Sequence, residues 1–315
     1  MATDVGTREQ TLAWEAQRRT PAAVATALAG ILTLAGQIYL QTQVTSDFPT
    51  VGELQALTPA LQGLANAEVN PGAAGIEFLN SKAGAIIATS VVTSIGTLLA
   101  GFAVLYLWQA ARARRPETPT FARWTTIGGA VAVALMSVVL QVIVAINASS
   151  FVDGTDRSRD AVEAVHRDGG LVVVQSIALA GQLAFAFSFV IVSLNAMRAG
   201  LLSRFMGVLG IIVGVLFIIP LGSPLPVVQC FWLLALAPLF LGRWPNGNPP
   251  AWEAGEARPW PTQQEIREAR MRAKGIEPPA RAQAEPEPEV VEDDAAEPAP
   301  APQSSAARKR RKRRR

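Results

Sequence analysis

Residues 171–197 read LVVVQSIALAGQLAFAFSFVIVSLNAM, 27 consecutive positions without a single charge. A hydrocarbon core about 30 Å thick is crossed by about 20 helical residues rising about 1.5 Å each. This stretch is long enough to cross. Five more apolar stretches lie around it, at 22–42, 83–108, 126–147, 205–220 and 225–242. The last two share one charge-free run, 205–242, broken by Pro220, Pro224 and Pro226, which with Gly222 read as a tight turn between two helices. The expected fold is all-α, a polytopic membrane bundle of six transmembrane helices.

Half of the 315 residues are hydrophobic and 17% are charged, so the charges must be segregated from the greasy segments. Residues 1–242 hold 13 Lys+Arg and 13 Asp+Glu, whereas residues 243–315 hold 15 and 12. The formal excess of +3 therefore belongs to the tail. One cysteine, Cys230, excludes an intrachain disulfide, and one histidine, His166, excludes a histidine-based metal cluster. The composition implies no cofactor.

Lys and Arg near the ends of spanning helices set orientation by staying cytoplasmic. With residues 1–20 as a cytoplasmic segment, the inner set is Arg8, Arg18, Arg19, Arg112, Arg114, Arg115, Arg123, Arg198 and Arg204, and the outer set is Lys82, Arg157, Arg159 and Arg167. Nine against four predicts both termini inside. Trp14, Trp108, Trp124 and Trp244 agree, because each falls at an inner end, where indoles favour the headgroup level. Thr20 and Pro21 read as a cap and first-turn proline for the first helix, whose apolar run exceeds a secretory signal core, so it is expected to stay attached.

Between the helices, Val51, Leu54, Leu57, Leu61 and Leu64 recur at helical spacing in the 43–82 loop, although Pro59 interrupts them. They predict a helix lying on the headgroups or on the bundle, with an extracytoplasmic lid or a partner-docking helix as the functional alternative. The 153–168 loop lacks the glycine and glutamate positions of a calcium loop. Its opposite charges at helical separations predict a short solvated helix.

After the 21–242 bundle, residues 243–275 form a juxtamembrane segment rich in Trp and Pro. Trp244, Trp252 and Trp260 are expected at the interface, and the capping box Thr262-Gln-Gln-Glu265 opens a short helix ending near Gly275. Residues 276–315 have too little to bury to recover their ordering entropy, so a disordered tail is expected. It carries seven acidic residues within 285–297 and then a basic run, Arg308, Lys309, Arg310, Arg311, Lys312, Arg313, Arg314 and Arg315.

Anionic lipid headgroups and nucleic acid both suit that run. Lipid is preferred, because a linker of about 30 residues reaches about 30 Å and keeps the run near the bilayer at high effective concentration.

No ionisable group lies in the middle of the spans; the polar groups nearest the interior include Gln141, Gln175 and Gln182. Such amides join helices or, in a transporter or channel for a neutral or apolar solute, line a path. Gly96 with Ala100, and Gly207 with Gly210 and Gly214, let helix backbones approach closely. This suits bundle packing and also admits a homo-oligomer. No phosphate loop, zinc-protease helix or nucleophile elbow is present, so an enzyme is the least supported class.

The stretch Asn195-Ala-Met-Arg198-Ala-Gly-Leu-Leu-Ser-Arg204-Phe-Met-Gly207-Val-Leu-Gly210 resembles a domain-of-unknown-function family of six-span bacterial membrane proteins, in which an Arg-x-Gly-Leu-Leu-x-Arg loop opens a glycine-rich fifth helix. The family usually has Pro where this chain has Ser203. The resemblance implies six spans in a bacterial plasma membrane and no activity. The function expected is a structural or regulatory membrane component whose basic tail binds anionic lipid. The alternatives are the transporter or channel above and tail-mediated tethering of nucleic acid or protein.

Overall fold

A computed structural model of the chain describes residues 8–49, 71–218, 226–245, 247–258, 260 and 271. The expected amphipathic helix at 51–64, most of the 220–226 turn, the capping-box helix from Thr262 and the tail with Arg308–Arg315 lie outside the described residues. Contacts divide the chain into Met1–Pro261, which holds the bundle, and Thr262–Arg315.

Among the described residues every regular element is helical. They are α1 (Arg8–Leu40), continued by a π-helical turn (Gln41–Thr45), α2 (Pro71–Arg114), α3 (Phe121–Asp153), α4 (Arg159–His166), α5 (Gly169–Ala199), α6 (Arg204–Ile218), α7 (Val227–Phe240) and α8 (Pro250–Ala254). Four segments of this series, Arg8–Thr45, Gly72–Arg114, Phe121–Asp153 and Arg159–Ala199, are long and apolar enough to cross a membrane. The apolar helices α6 and α7, with 15 and 14 residues, reach about 22 and 21 Å at 1.5 Å per residue, short of the ~30 Å core.

The long helices overrun their apolar stretches at both ends. Once nucleated, a helix extends at one hydrogen bond per residue, and the flank Pro71–Lys82 is held besides by Ala73 and Ile76, which are buried in a second cluster with Ala148, Phe151 and Val162. The expected start of α1 at Thr20 and Pro21 is therefore corrected. The helix begins at Arg8 and Pro21 lies inside it. The carbonyl that Pro21 leaves without a helical partner belongs to Gln17, an exposed position. The inward stripe explains the early start, because Thr11 and Glu15 continue the buried line of Ala22, Thr26 and Ala29 at helical spacing.

Starts and stops elsewhere follow local chemistry. Asp168 caps α5, its Oδ1 accepting from the backbone N–H of Gly170 at 2.5 Å and Leu171 at 3.4 Å. Gly200 ends that helix at φ 81°, a left-handed conformation open to glycine, and Leu201 N–H then closes onto the Ala196 carbonyl at 2.9 Å. Ser203 starts α6, its hydroxyl accepting from Met206 N–H at 3.2 Å. The Arg198–Arg204 loop is thus a helix stop followed by a helix start, with Leu201 and Leu202 wholly buried between them.

Neighbouring helices pack as α1 on α2, α2 on α3, α3 on α5 and α5 on α6, while α7 lies against α1. The core holds Phe185, Phe189, Trp232, Leu233 and Leu236. Small residues set the spacing. A Cβ at Gly96 would lie 3.3 Å from the Ala29 carbonyl oxygen, at Gly207 2.7 Å from Met197 Cβ, at Gly210 2.9 Å from Trp232 Cζ2 and at Gly214 2.8 Å from the Ala186 carbonyl oxygen. Ala100 is fully enclosed. Interhelical hydrogen bonds add polar joints: Ser94 Oγ donates to the Ala134 carbonyl at 2.8 Å, and Gln182 Nε2 donates to the Phe217 carbonyl.

Candidate functional site at the basic end of the bundle

Antiparallel packing brings the start of α1, the end of α2, the start of α3, the α5–α6 loop and the end of α7 to one end. Contacts between Glu15 and Arg114, Trp108 and Pro119, and Tyr106 and Phe240 mark this meeting. Into it folds α8.

At its centre Arg114 pairs with Glu15. One guanidinium nitrogen, Nη1, donates to Glu15 Oε1 and the other, Nη2, to Oε2 at 3.0 Å. Nη1 also donates to the Ala110 carbonyl at 3.0 Å, and Nε and Nη2 both donate to the Ala251 carbonyl, at 3.1 and 2.8 Å. Arginine has five N–H donors and all five are engaged. The two side chains are 0% and 5% exposed. A buried charge persists only when paired and hydrogen-bonded, and this geometry meets both conditions.

Aromatic rings roof the pair. Tyr106 stacks on Trp14 at 5.5 Å and on Trp252 at 5.9 Å, meets Phe240 edge-on at 4.9 Å, and the Arg114 guanidinium lies 5.5 Å over Trp252. Such contacts contribute about 0.5–1.5 kcal/mol each beyond area burial. Trp252 Nε1 donates to the Leu201 carbonyl at 2.9 Å, and Arg258 N–H donates to the Ala199 carbonyl at 3.1 Å. The α8 segment is therefore hooked to the loop after Gly200.

The tryptophans gather at this end as expected, but they pack inward. Trp108 and Trp252 are buried, Trp14 and Trp244 are packed against the core, and only Trp124 of the expected inner-end set stands exposed, at 64%. For two of them the inward turn has a physical reason: the indole N–H of Trp108 finds the Pro119 carbonyl and that of Trp252 the Leu201 carbonyl, so their burial costs no unmade bond, whereas Trp260 Nε1 is buried with no hydrogen-bond partner among the described residues.

Beside the pair lies a cavity of about 600 Å³ between α1, α2 and the start of α3. Arg18, Arg112 and Arg123 line it together with Trp14, Trp108, Phe102, Leu105 and Ile127. Arg18 lies 5.3 Å over the Trp14 ring, Arg112 5.5 Å over Trp108 and Arg123 5.5 Å over Trp124. Arg112 also donates to the Thr118 carbonyl at 3.0 Å and Thr120 Oγ1 at 2.8 Å.

The opposite end carries the expected short charged helix, corrected in one respect: it is solvated on one face only, because Val162 is buried in a cluster with Ala73, Ile76 and Phe151. Ser158 caps α4, accepting from Ala161 N–H at 3.3 Å, and Glu163 pairs with Arg159 at 3.1 Å and Arg167 at 3.0 Å. Arg157 pairs with Glu77 at 3.2 Å. The Asp156 carboxyl is held below the usual aspartate range chiefly by the Ser158 backbone N–H and hydroxyl.

Of the three amides, Gln182 bonds across to α6, Gln175 is on the exposed surface and Gln141 is half-buried; none of them lines the cavity. The Glu15–Arg114 pair was missed because its partners stand 99 residues apart and Arg114 sits among Arg112 and Arg115. The available signal was the apolar stripe of α1 running back through Glu15. No family model, no curated protein and no solved structure matches the chain.

Proposed function

We propose that the chain is a six-span integral protein of a bacterial plasma membrane, a structural or regulatory component with its basic end cytoplasmic and its Arg308–Arg315 run engaging anionic lipid. The supporting observation is an outward apolar belt. Val24, Leu28 and Ile31 on α1, Val91, Ile95 and Leu98 on α2, Val131 and Leu135 on α3, and Val173, Ile177 and Phe187 on α5 are all exposed. A contiguous surface of this kind faces lipid or a partner, not water.

The short helices belong to the same belt. α6 exposes Val208, Ile212 and Val215 while burying Gly207, Gly210 and Gly214, and α7 exposes Val227, Phe231 and Leu234 while burying Cys230, Leu233 and Leu236. A bilayer thins locally around a short helix at a fraction of a kcal/mol per Å, so their length is compatible with crossing. The resemblance around Arg198–Arg204 supports the same count, and the nine arginines at one end support the orientation.

The solute-channel reading requires Gln141, Gln175 and Gln182 on one path. The exposed position of Gln175 lends it no support.

Two measurements test the proposal. The full chain should stay with membranes through alkaline carbonate and dissolve only in detergent. In a Cys230→Ser background, a cysteine at Ser203 and one at Asp156 should label from opposite faces. Labelling from one face, or release without detergent, overturns it. For the tail, protease should spare residues 308–315 in vesicles of phosphatidylglycerol but not phosphatidylcholine, and high salt should remove the protection.

A further inference from the structure

We infer that the cavity between α1, α2 and α3 is a binding site for one anionic phospholipid, its phosphate held by Arg18, Arg112 and Arg123 and one acyl chain lying along Phe102 and Ile127. The site is separate from the Arg308–Arg315 run and rests on the membrane reading above.

The charge argument comes first. Three guanidinium groups line one cavity, and none of them forms an ion pair with a carboxylate among the described residues. Two acids at this end are already committed, Glu15 to Arg114 and Glu117 to Arg115. Each guanidinium instead rests on an indole face, which orients the planar fork while leaving N–H donors for an oxyanion. Arginine is more weakly hydrated than lysine and matches phosphate oxygens in pairs, so the residue type fits the ligand.

The apolar wall then chooses among anions. Phe102 lies ten positions before Arg112, about 15 Å along the helix toward the middle of the bundle. Above it on the same helical stripe follow Leu98, Ile95 and Val91, all exposed, and on α3 the line from Ile127 continues through Val131 and Leu135. A site that grades from guanidinium to indole to aliphatic over that distance matches an amphiphile with a phosphate head. Free phosphate would leave the apolar part of a 600 Å³ cavity empty, and a nucleic acid, whose bases could stack on Phe102, has no aliphatic chain to lie along Leu98, Ile95 and Val91 beyond it. Basic recesses between membrane helices at the cytoplasmic side are suited to phospholipid headgroups.

The test uses the full chain with residues 308–315 changed to serine, delipidated in dodecyl maltoside, and native mass spectrometry with dioleoyl phosphatidylglycerol or dioleoyl phosphatidylcholine as probes. One phosphatidylglycerol should be retained in preference to phosphatidylcholine. Arg18→Gln with Arg123→Gln should weaken that retention about tenfold or more, because each removes about one phosphate-directed charge. Both side chains are exposed, so the double variant should fold, and an unchanged melting temperature checks this. Independently, Ile127→Trp should block retention with every charge intact.

Equal retention of the two lipids, or a preference unaffected in both variants, overturns the inference. Displacement of phosphatidylglycerol by millimolar inorganic phosphate overturns it in favour of a simple phosphate site. Failure of the membrane reading is distinguishable, because the chain would then need no detergent at all.

Discussion

The two ends of the bundle hold their charges in opposite ways. At the basic end, Glu15 and Arg114 are closed off from solvent with every guanidinium donor engaged, under a roof of Trp14, Tyr106 and Trp252. At the other end, Arg159 is 84% exposed and its partner Glu163 35%. The same ion pair chemistry is therefore structural at one end and incidental at the other. Desolvation makes the difference, since a buried charge that loses its partner is stranded, whereas an exposed one is rehydrated.

The sharpest way to break this comparison is Arg114→Ala. It strands Glu15 and frees the Ala251 carbonyl, so unfolding of the purified chain in mixed dodecyl maltoside and dodecyl sulfate, followed by tryptophan fluorescence, should show a loss of about 3–5 kcal/mol. Replacing both partners, Glu15→Leu with Arg114→Met, should cost much less than either single change. Equal losses would mean that packing, not charge, holds this end.

Glycines sharpen the contrast further. A Cβ at Gly129 on α3 would lie 2.6 Å from Phe185 N and 2.8 Å from Phe185 Cα, backbone atoms that cannot swing aside. Gly129→Ala should cost about 1–3 kcal/mol in the same assay. At Gly84 on α2, nearer the other end, a Cβ meets nothing within 4 Å, and Gly84→Ala should stabilise by up to about 1 kcal/mol.

Trp252→Phe keeps most of the ring but deletes the N–H that reaches Leu201, with an expected loss of about 1–2 kcal/mol. Smallest of all, Arg159→Gln at the far end should stay within about 0.5 kcal/mol of the parent protein. A larger change there would show that α4 depends on its exposed pair.

Much of the fold was legible because bilayer length and charge exclusion act on contiguous residues. The four long apolar helices, the existence of the charged helix α4 and the close approach at Gly96, Gly207, Gly210 and Gly214 all follow from local spacing. The knot at the basic end was not legible, since it is assembled from residues 15, 106, 114 and 252, which no local pattern links. Interfacial preference placed Trp108 and Trp252 at the right end but did not reveal their burial. That preference describes an indole without a carbonyl in reach, and here Pro119 and Leu201 supply one. Pro21 misled for a related reason, because a proline that suits a helix start is also tolerated within a helix whose neighbouring turn is solvated.

The hook formed by α8 bears on biogenesis. Glu15 and Arg114 emerge from the ribosome long before Ala251, so until the final turn of the bundle is synthesised two guanidinium donors lack their acceptor and Trp14 and Tyr106 lack their cover. Closure of this end is consequently a late, post-insertion event, and epitope or fluorescent fusions inserted upstream of Pro249 would interrupt it, whereas those placed beyond Pro261 would leave it to proceed.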